Sequence, residues 1–275
     1  MRKQTIPVLC CLAAIFLFAS CSKNGAQKEA VTPDPVSAEV LAQIKDNGFS
    51  TDNVVKTEDG YLVEGDILLT AEQLKTKVTS PVLRIAQTEQ YRTNLLVTAL
   101  PRVIKIKVTS LGTAFIAGTD TAIARYNRLG LRITFQRITS GTANITIKGF
   151  NQGPSGGYIT LGSSGFPTSS GNPYATIKMN TNAAAYGSNP NVLYVGSVIQ
   201  HELGHCIGMR HTDYMNRAYS CGGSAVNEGD GGVGAVWIPG TPTGPDANSW
   251  MLACSNGGNR TFNANDIIAL NYLYH

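Results

Sequence analysis

The chain has 275 residues and a formal net charge of +4; 15% of its residues are charged and 29 are glycine. This length allows one domain with a buried core and a short additional segment. The positive charge is small and forms no basic run beyond the N-terminus, so we expect no nucleic-acid partner.

Residues 1–20 predict a lipoprotein signal peptide. A short basic start precedes an apolar stretch over residues 8–18, which is too short to span a membrane. The following Leu17-Phe18-Ala19-Ser20-Cys21 resembles a bacterial lipobox, which implies a lipid anchor on Cys21 and a place in the bacterial cell envelope, outside the cytoplasm, at the outer membrane or cell surface. Residues 21–37 then read as a polar tether. The alternative is an ordinary cleaved signal peptide in which Cys21 has no role.

A small N-terminal segment is predicted next. Apolar residues at helical spacing indicate a helix over residues 38–46. The pair Asp59-Gly60 is typical of a tight turn and indicates a hairpin over residues 54–70. Residues 38–90 therefore form a helix-plus-hairpin segment that precedes a larger domain over residues 91–275.

Strands and helices are mixed along the larger domain. Alternating or β-branched runs predict strands, and apolar residues at three- and four-residue spacing predict helices. The predicted strands cover residues 103–108, 131–138, 144–150, 158–162 and 174–179, and the predicted helices cover residues 115–129, 191–209 and 262–274.

One motif, which begins in the predicted helix over residues 191–209, contains candidate catalytic residues. His201, Glu202, His205, Gly208 and His211 fit the pattern H-E-x-x-H-x-x-G-x-x-H. His201 and His205 are four residues apart, so a helix presents both imidazoles to the same point. Glycine accepts the left-handed backbone that ends a helix, so Gly208 allows the chain to turn back and bring His211 to that point. Three histidines with a fourth position open to water form a catalytic zinc site, and Glu202 lies beside that position.

The pattern is the metzincin signature. The later Ser249-Trp250-Met251 has the form of the metzincin methionine turn, in which Met251 lies under the metal. Over about the last two thirds of the chain, and most densely from Val198 to the end, the sequence resembles the bacterial HEIGH metallopeptidases of family M57. The resemblance implies an α+β, metzincin-like fold. It has a twisted five-stranded mixed sheet, long helices including an active-site helix, and an irregular C-terminal half ending in a helix.

The same resemblance implies a zinc-dependent endopeptidase with protein or peptide substrates. His201, His205 and His211 are then the ligands of one Zn²⁺ ion, and Glu202 is the general base. The strand formed by Tyr158, Ile159, Thr160 and Leu161 is then the exposed edge strand with which an extended substrate pairs. The alternative is a plain edge strand without this role.

Two further positions follow from the resemblance. Asp213 is a candidate acceptor that orients a ligand imidazole, and the alternative is an aspartate that anchors a loop. Astacins have a tyrosine ligand two residues after the methionine, but Ala253 stands there in this chain.

A latency element is suggested near the N-terminus. Val63-Glu64-Gly65-Asp66 resembles the Phe-x-Gly-Asp element of astacin pro-segments, with Val63 in place of the aromatic residue. The resemblance implies that residues 38–90 are a pro-segment and that Asp66 binds the zinc until this segment is removed. A cysteine switch is excluded, because the sequence has no cysteine between Cys21 and Cys206. The alternative for Asp66 is a turn with a solvated carboxylate.

The remaining cysteines favour one disulfide among Cys206, Cys221 and Cys254, because the compartment is oxidising, and the pairing stays open. We expect a monomer. Gly229-Asp230-Gly231 is too short to predict calcium binding, so a calcium site stays open.

Three functions compete at this point. The first is a lipid-anchored zinc endopeptidase that is latent until its pro-segment is removed. The second is a surface binding protein with a structural or vestigial zinc site, although such a site needs no Glu202. The third is a zinc hydrolase of non-peptide amides, which digestion of unfolded protein separates from the first.

Overall fold

The computed structural model describes residues 35–47, 49–75, 90–155, 157–229, 233–242 and 244–275. The predicted signal peptide, the lipidation site Cys21 and most of the tether lie outside the described residues, as does the connection over residues 76–89. None of the helices in the described part of the chain is long and apolar enough to cross a membrane.

Residues 35–75, called the N-terminal segment below, contain two helices and a small sheet, and their buried apolar side chains belong to a cluster that is shared with the rest of the chain. Ser37 caps the first helix, because its side chain accepts a hydrogen bond from the Val40 N–H at 3.3 Å. The predicted helix and hairpin are confirmed, and a third strand extends the hairpin into a three-stranded antiparallel sheet. The elements are α1 (Ala38–Asp46), β1 (Val55–Thr57), β2 (Gly60–Val63), β3 (Ile67–Leu69) and α2 (Ala71–Lys75).

The rest of the chain alternates strands and helices before its irregular C-terminal part. Its elements are β4 (Tyr91–Arg92), β5 (Arg102–Val108), α3 (Thr113–Asn127), β6 (Ile133–Ile138), β7 (Ile145–Phe150), β8 (Gly162–Ser163), β9 (Thr176–Asn180), α4 (Ala183–Tyr186), α5 (Val192–Cys206), α6 (Ala218–Cys221), β10 (Val236–Trp237) and α7 (Ala264–Tyr274).

The main sheet has five strands in the order β6-β5-β7-β9-β8. The first four strands are parallel to one another, and β8 pairs with β9 in the antiparallel direction. The predicted α+β fold with a five-stranded mixed sheet is therefore confirmed. Buried side chains of the parallel strands pack with those of α3, α5 and α7 into one apolar core.

The predicted position of the edge strand is wrong. Tyr158, Ile159, Thr160 and Leu161 precede the strand, which is β8 at Gly162–Ser163. The carbonyl groups of Thr160 and Leu161 accept hydrogen bonds from the Asn180 side chain and backbone, and the Tyr186 hydroxyl also donates to Leu161. These residues have high strand propensity, but backbone contact with β9 reaches no further than Leu161, and at Thr160 the Asn180 side chain takes its place.

The predicted active-site helix is confirmed as α5. Asn191 caps it, because the side-chain oxygen accepts from the N–H groups of Leu193 and Tyr194. The helix ends at Cys206, and Gly208 follows with a φ of 107°, which other residues rarely adopt. The chain then turns beside β4, where the Thr93 N–H donates to the Gly208 carbonyl at 2.8 Å.

The C-terminal half is irregular, as predicted, and ends in α7. The cysteine pairing that the sequence left open is a disulfide between Cys221 and Cys254. Cys206 is a free, buried thiol. Asp266 belongs to the capping box of α7 and also accepts hydrogen bonds from Ser249 and from the Trp250 N–H. The last helix is thereby tied to the predicted methionine turn.

Candidate active site

Three imidazoles converge at the end of α5. His201 and His205 lie one helical turn apart, and the turn after Gly208 brings His211 opposite them. The Nε2 atom of His205 lies 3.1 Å from the Nε2 atoms of both His201 and His211. His205 and His211 are fully buried. The structure thus brings together the three residues predicted as metal ligands.

The other ring nitrogens fix the tautomers of these histidines. His201 Nδ1 donates to the Trp250 carbonyl and His205 Nδ1 to the Met209 carbonyl, each at 2.9 Å. A carbonyl oxygen only accepts, so both Nδ1 atoms carry a proton, and in the neutral form of each ring the Nε2 atom is the one with the free lone pair. Burial and the two neighbouring imidazoles lower the pKa of His205 well below its usual value.

A metal cation fits between the Nε2 atoms of the three histidines. Without a metal ion, a proton on His211 would not be enough, because the Nε2 lone pairs of neutral His201 and His205 would still face each other. A metal ion between the three nitrogens removes that conflict, and three imidazoles with one oxygen are a donor set that suits tetrahedral zinc. The residues present therefore fit a zinc ion.

The carboxylate of Asp66 lies beside the three imidazoles. Its Oδ2 atom lies 3.0 Å from His211 Nε2, 3.4 Å from His201 Nε2 and 3.9 Å from His205 Nε2. The residue follows the tight loop between β2 and β3, where Glu64 and Gly65 have φ values of 56° and 91°. Burial opposes ionisation of Asp66, but the surrounding histidines outweigh it and hold its pKa well below the usual range.

Glu202 lies between α5 and the edge strand. Its Oε2 atom accepts a hydrogen bond from the Ser164 hydroxyl at 2.7 Å. A Cβ atom at Gly162 would lie 2.9 Å from Glu202 Oε1, so only glycine leaves room for the carboxylate there. Burial, and then the charge of Asp66, raise the pKa of Glu202 well above its usual value.

The predicted methionine turn packs against the same helix. Met251 is fully buried, and its carbonyl accepts from the Thr212 N–H at 2.9 Å, directly after His211. Trp250 supplies the carbonyl that fixes His201. The turn therefore holds the first and third histidines in place through backbone contacts.

The predicted role of Asp213 is wrong. Its carboxylate accepts from the Ser220 hydroxyl at 2.6 Å and from the Ala253 N–H at 2.9 Å, so it anchors the loop beside the methionine turn. The acceptor for His211 is Glu228, whose Oε1 and Oε2 atoms lie 2.8 Å and 3.1 Å from His211 Nδ1.

Glu228 is fully buried and is held by two cations. Arg210 Nη2 lies 3.5 Å from Oε2 and Arg217 Nε lies 3.2 Å from Oε1. Burial raises the pKa of Glu228, but His211 and then the two arginines outweigh it, so the pKa lies below its usual value. Sequence reasoning missed Glu228, Ser164 and both arginines, because their roles depend on contacts between distant residues; Arg210 lies inside the histidine motif, but at a position that the motif leaves unspecified.

Replacing Glu228 by Gln is expected to weaken zinc binding by about 10–100-fold, because partners behind a ligand histidine fix its orientation and basicity. The measurement is the zinc Kd by competition with a chromogenic chelator. Asp213→Asn is the matched control, since it also neutralises a buried carboxylate in this region but touches no ligand histidine. Equal zinc affinity for Glu228→Gln and the native protein, with both folded, would contradict the prediction.

The geometry defines a three-histidine metal centre with the carboxylate of Glu202 beside it, which is the arrangement of a zinc metallopeptidase. The sequence profile of the dual-action HEIGH metallo-peptidases, family M57, matches residues 61–274, which is most of the 275-residue chain. The chain therefore belongs to this family. The match begins within the N-terminal segment, a few residues before Asp66.

Solved structures similar to part of the chain have low sequence identity to it. A structure of myroilysin is 16% identical, with a TM-score of 0.43, covering 66% of this chain and 96% of that one. High choriolytic enzyme 1, a hatching enzyme zinc-protease from Oryzias latipes (medaka fish), is 17% identical, with a TM-score of 0.37, covering 62% of this chain and 88% of that one. No curated protein matches the chain.

Proposed function

We propose that the chain is a zinc endopeptidase in which Glu202 is the general base and the N-terminal segment keeps the enzyme latent. The observation that carries this proposal is the position of Asp66, whose carboxylate occupies the fourth side of the three-histidine site next to Glu202. Membership of a metallopeptidase family supports the peptidase activity.

A bound zinc ion supplies a water molecule of lowered pKa and a Lewis acid for the substrate carbonyl. Glu202 takes the proton of the attacking water and then delivers it to the departing amine. The Ser164 hydroxyl donates to Glu202 Oε2 and so holds the carboxylate in one orientation. Loss of the negative charge of Asp66 removes one cause of the raised pKa of Glu202, which favours the ionised base.

The edge of the main sheet supports an endopeptidase with extended substrates. Ser164 follows β8, and its N–H and carbonyl groups point away from β9 towards the N-terminal segment. The Ser164 N–H donates to the Asp66 carbonyl at 3.0 Å, and the Leu68 N–H donates to the Ser164 carbonyl at 2.8 Å. A substrate strand that replaced the segment would find these groups free for backbone pairing.

The direction of the segment supports latency. Ile67 pairs with Ser164 in the parallel direction, whereas the substrate pairing expected from the resemblance is antiparallel. The segment therefore covers the edge and the metal position in an orientation opposite to that of a substrate. Removal of the segment, by cleavage between about residues 75 and 102, frees both.

Digestion of unfolded casein tests this function. The full chain is expected to cut casein only after its N-terminal segment has been trimmed away, and a zinc chelator is expected to abolish the cutting until zinc is restored. Zinc binding without any digestion after trimming would instead favour a surface binding protein.

We also propose that the protein is a monomer held in the bacterial cell envelope by a lipid on Cys21. The lipobox-like sequence before Cys21 supports this anchor. Metabolic labelling with a radioactive fatty acid is expected to mark the native protein but not Cys21→Ser. Equal labelling of both would exclude Cys21 as the lipid site.

A further inference from the structure

The N-terminal segment covers a small apolar surface beside the metal position. One buried apolar cluster joins the segment to the rest of the chain. Its buried members in the segment are Ile44, Phe49, Val63, Ile67, Leu69 and Leu74. Only two of its buried members in the described part of the chain come from outside the segment, Phe166 and Val233. Removal of the segment therefore takes away the other six buried members of this cluster, with which Phe166 and Val233 pack.

This surface lies close to the reacting centre. The ring of Phe166 packs edge-on against the His205 imidazole, with 5.5 Å between ring centroids. Phe166 also comes two residues after Ser164, with which Ile67 pairs. Ile67 directly follows Asp66, whose carboxylate is at the metal position, and it is fully buried. The protein thus already buries an apolar side chain, that of Ile67, one residue along the chain from the carboxylate at the metal position.

The charges around this surface are already paired. The guanidinium of Arg210 lies 5.9 Å from the centre of the Phe166 ring, and the same group is ion-paired with Glu228 at 3.5 Å. It also donates to the carbonyl groups of Gly229 and Gly234. An acidic side chain would have to compete with Glu228, whereas an apolar side chain gains the burial that Ile67 gains now.

We propose that Phe166 and Val233 form a substrate pocket, the Phe166 pocket, that accepts a branched aliphatic or aromatic side chain. The pocket opens when the N-terminal segment leaves, and Ile67 is its occupant in the latent protein. The substrates are then extended peptides with such a residue within two positions of the cleaved bond. This inference rests on the proposed endopeptidase function.

The test uses the folded full chain after limited cleavage at Lys77 or Arg84 and removal of the N-terminal fragment. Three dipeptide hydroxamates, which bind zinc, are compared: one carries Ala at both positions, and each of the others carries Leu at one of the two positions in place of Ala. At one position Leu is expected to bind at least about tenfold more tightly than Ala. In a mixture of random peptides, Ile, Leu, Val or Phe is expected to be enriched at one position within two residues of the cleaved bond.

Val233→Phe is expected to fill the pocket, so that the preference for Leu over Ala falls below about twofold while the zinc Kd stays unchanged. Val103→Phe is the matched control, because Val103 is 53% exposed on β5. Val233→Ala enlarges the pocket and is expected to favour Phe over Leu. This second variant tests the proposal even if Val233→Phe fails to fold.

The two readouts separate this inference from the proposed function. Cleavage of peptides without any apolar preference, together with equal Leu and Ala affinities, overturns the Phe166 pocket and leaves the endopeptidase standing. Tighter binding of Leu without cleavage of any peptide supports the pocket and overturns the endopeptidase.

Discussion

Replacement of Glu202 by Gln is expected to reduce casein digestion by the trimmed enzyme about 10²–10⁴-fold, because proton transfer by a positioned base contributes about this much. Zinc affinity is expected to remain within about twofold, because the carboxylate is not among the groups that converge on the metal position. Glutamine keeps an oxygen that accepts from Ser164, so the fold is preserved. The measurements are kcat on a fluorogenic peptide, the zinc Kd and the melting temperature.

Two other variants show whether the loss of activity is specific to Glu202. Asp120→Asn removes a carboxylate that forms an exposed ion pair with Arg137, and it is expected to leave kcat unchanged. Glu228→Gln is expected to lose zinc affinity, which Glu202→Gln keeps. Digestion by Glu202→Gln at the native rate would show that another group accepts the proton, and the proposed mechanism would then be wrong.

The sequence predicted those parts of the molecule that local patterns determine. The helices α1, α5 and α7 begin after Ser37, Asn191 and Asn263, whose side chains cap them, and their apolar spacing is regular. The histidine spacing predicted that three imidazoles converge, and a helical turn and one glycine are enough to bring them together. Asp66 lies at the histidines, as its resemblance to the astacin element implied, although its role there stays a proposal.

Long-range contacts account for what the sequence did not predict. Glu228 lies 17 positions after His211, beyond the short helix α6, and nothing in the spacing marks it. Asp213 is adjacent to the motif, but its carboxylate is used by Ser220 and Ala253. The edge strand is only two residues long, and its position depends on the close approach of Gly162 to Glu202 rather than on strand propensity.

Replacement of Asp66 by Ala in the uncut chain is expected to raise peptidase activity about 5–150-fold, the range of a typical coupling free energy between two sites. The carboxylate is the group of the segment that lies nearest the three Nε2 atoms, so its loss frees the position that water must occupy. The backbone pairing of Ile67 and Leu68 with Ser164 remains, so activation is expected to be partial. Activity on a fluorogenic peptide before and after trimming measures both effects.

Trimming provides the internal control for this variant. Asp66 leaves with the segment, so the trimmed forms of Asp66→Ala and of the native protein are expected to have equal kcat/KM. Asp46→Ala changes an exposed aspartate at the end of α1 in the same segment, and its uncut form is expected to stay as inactive as the native chain. If uncut Asp66→Ala were as inactive as the native chain while both became active on trimming, latency would depend on the covered edge of the sheet and not on Asp66. If the uncut native chain were already fully active, the segment would not be inhibitory, and its contact with the histidines would serve only to stabilise the fold.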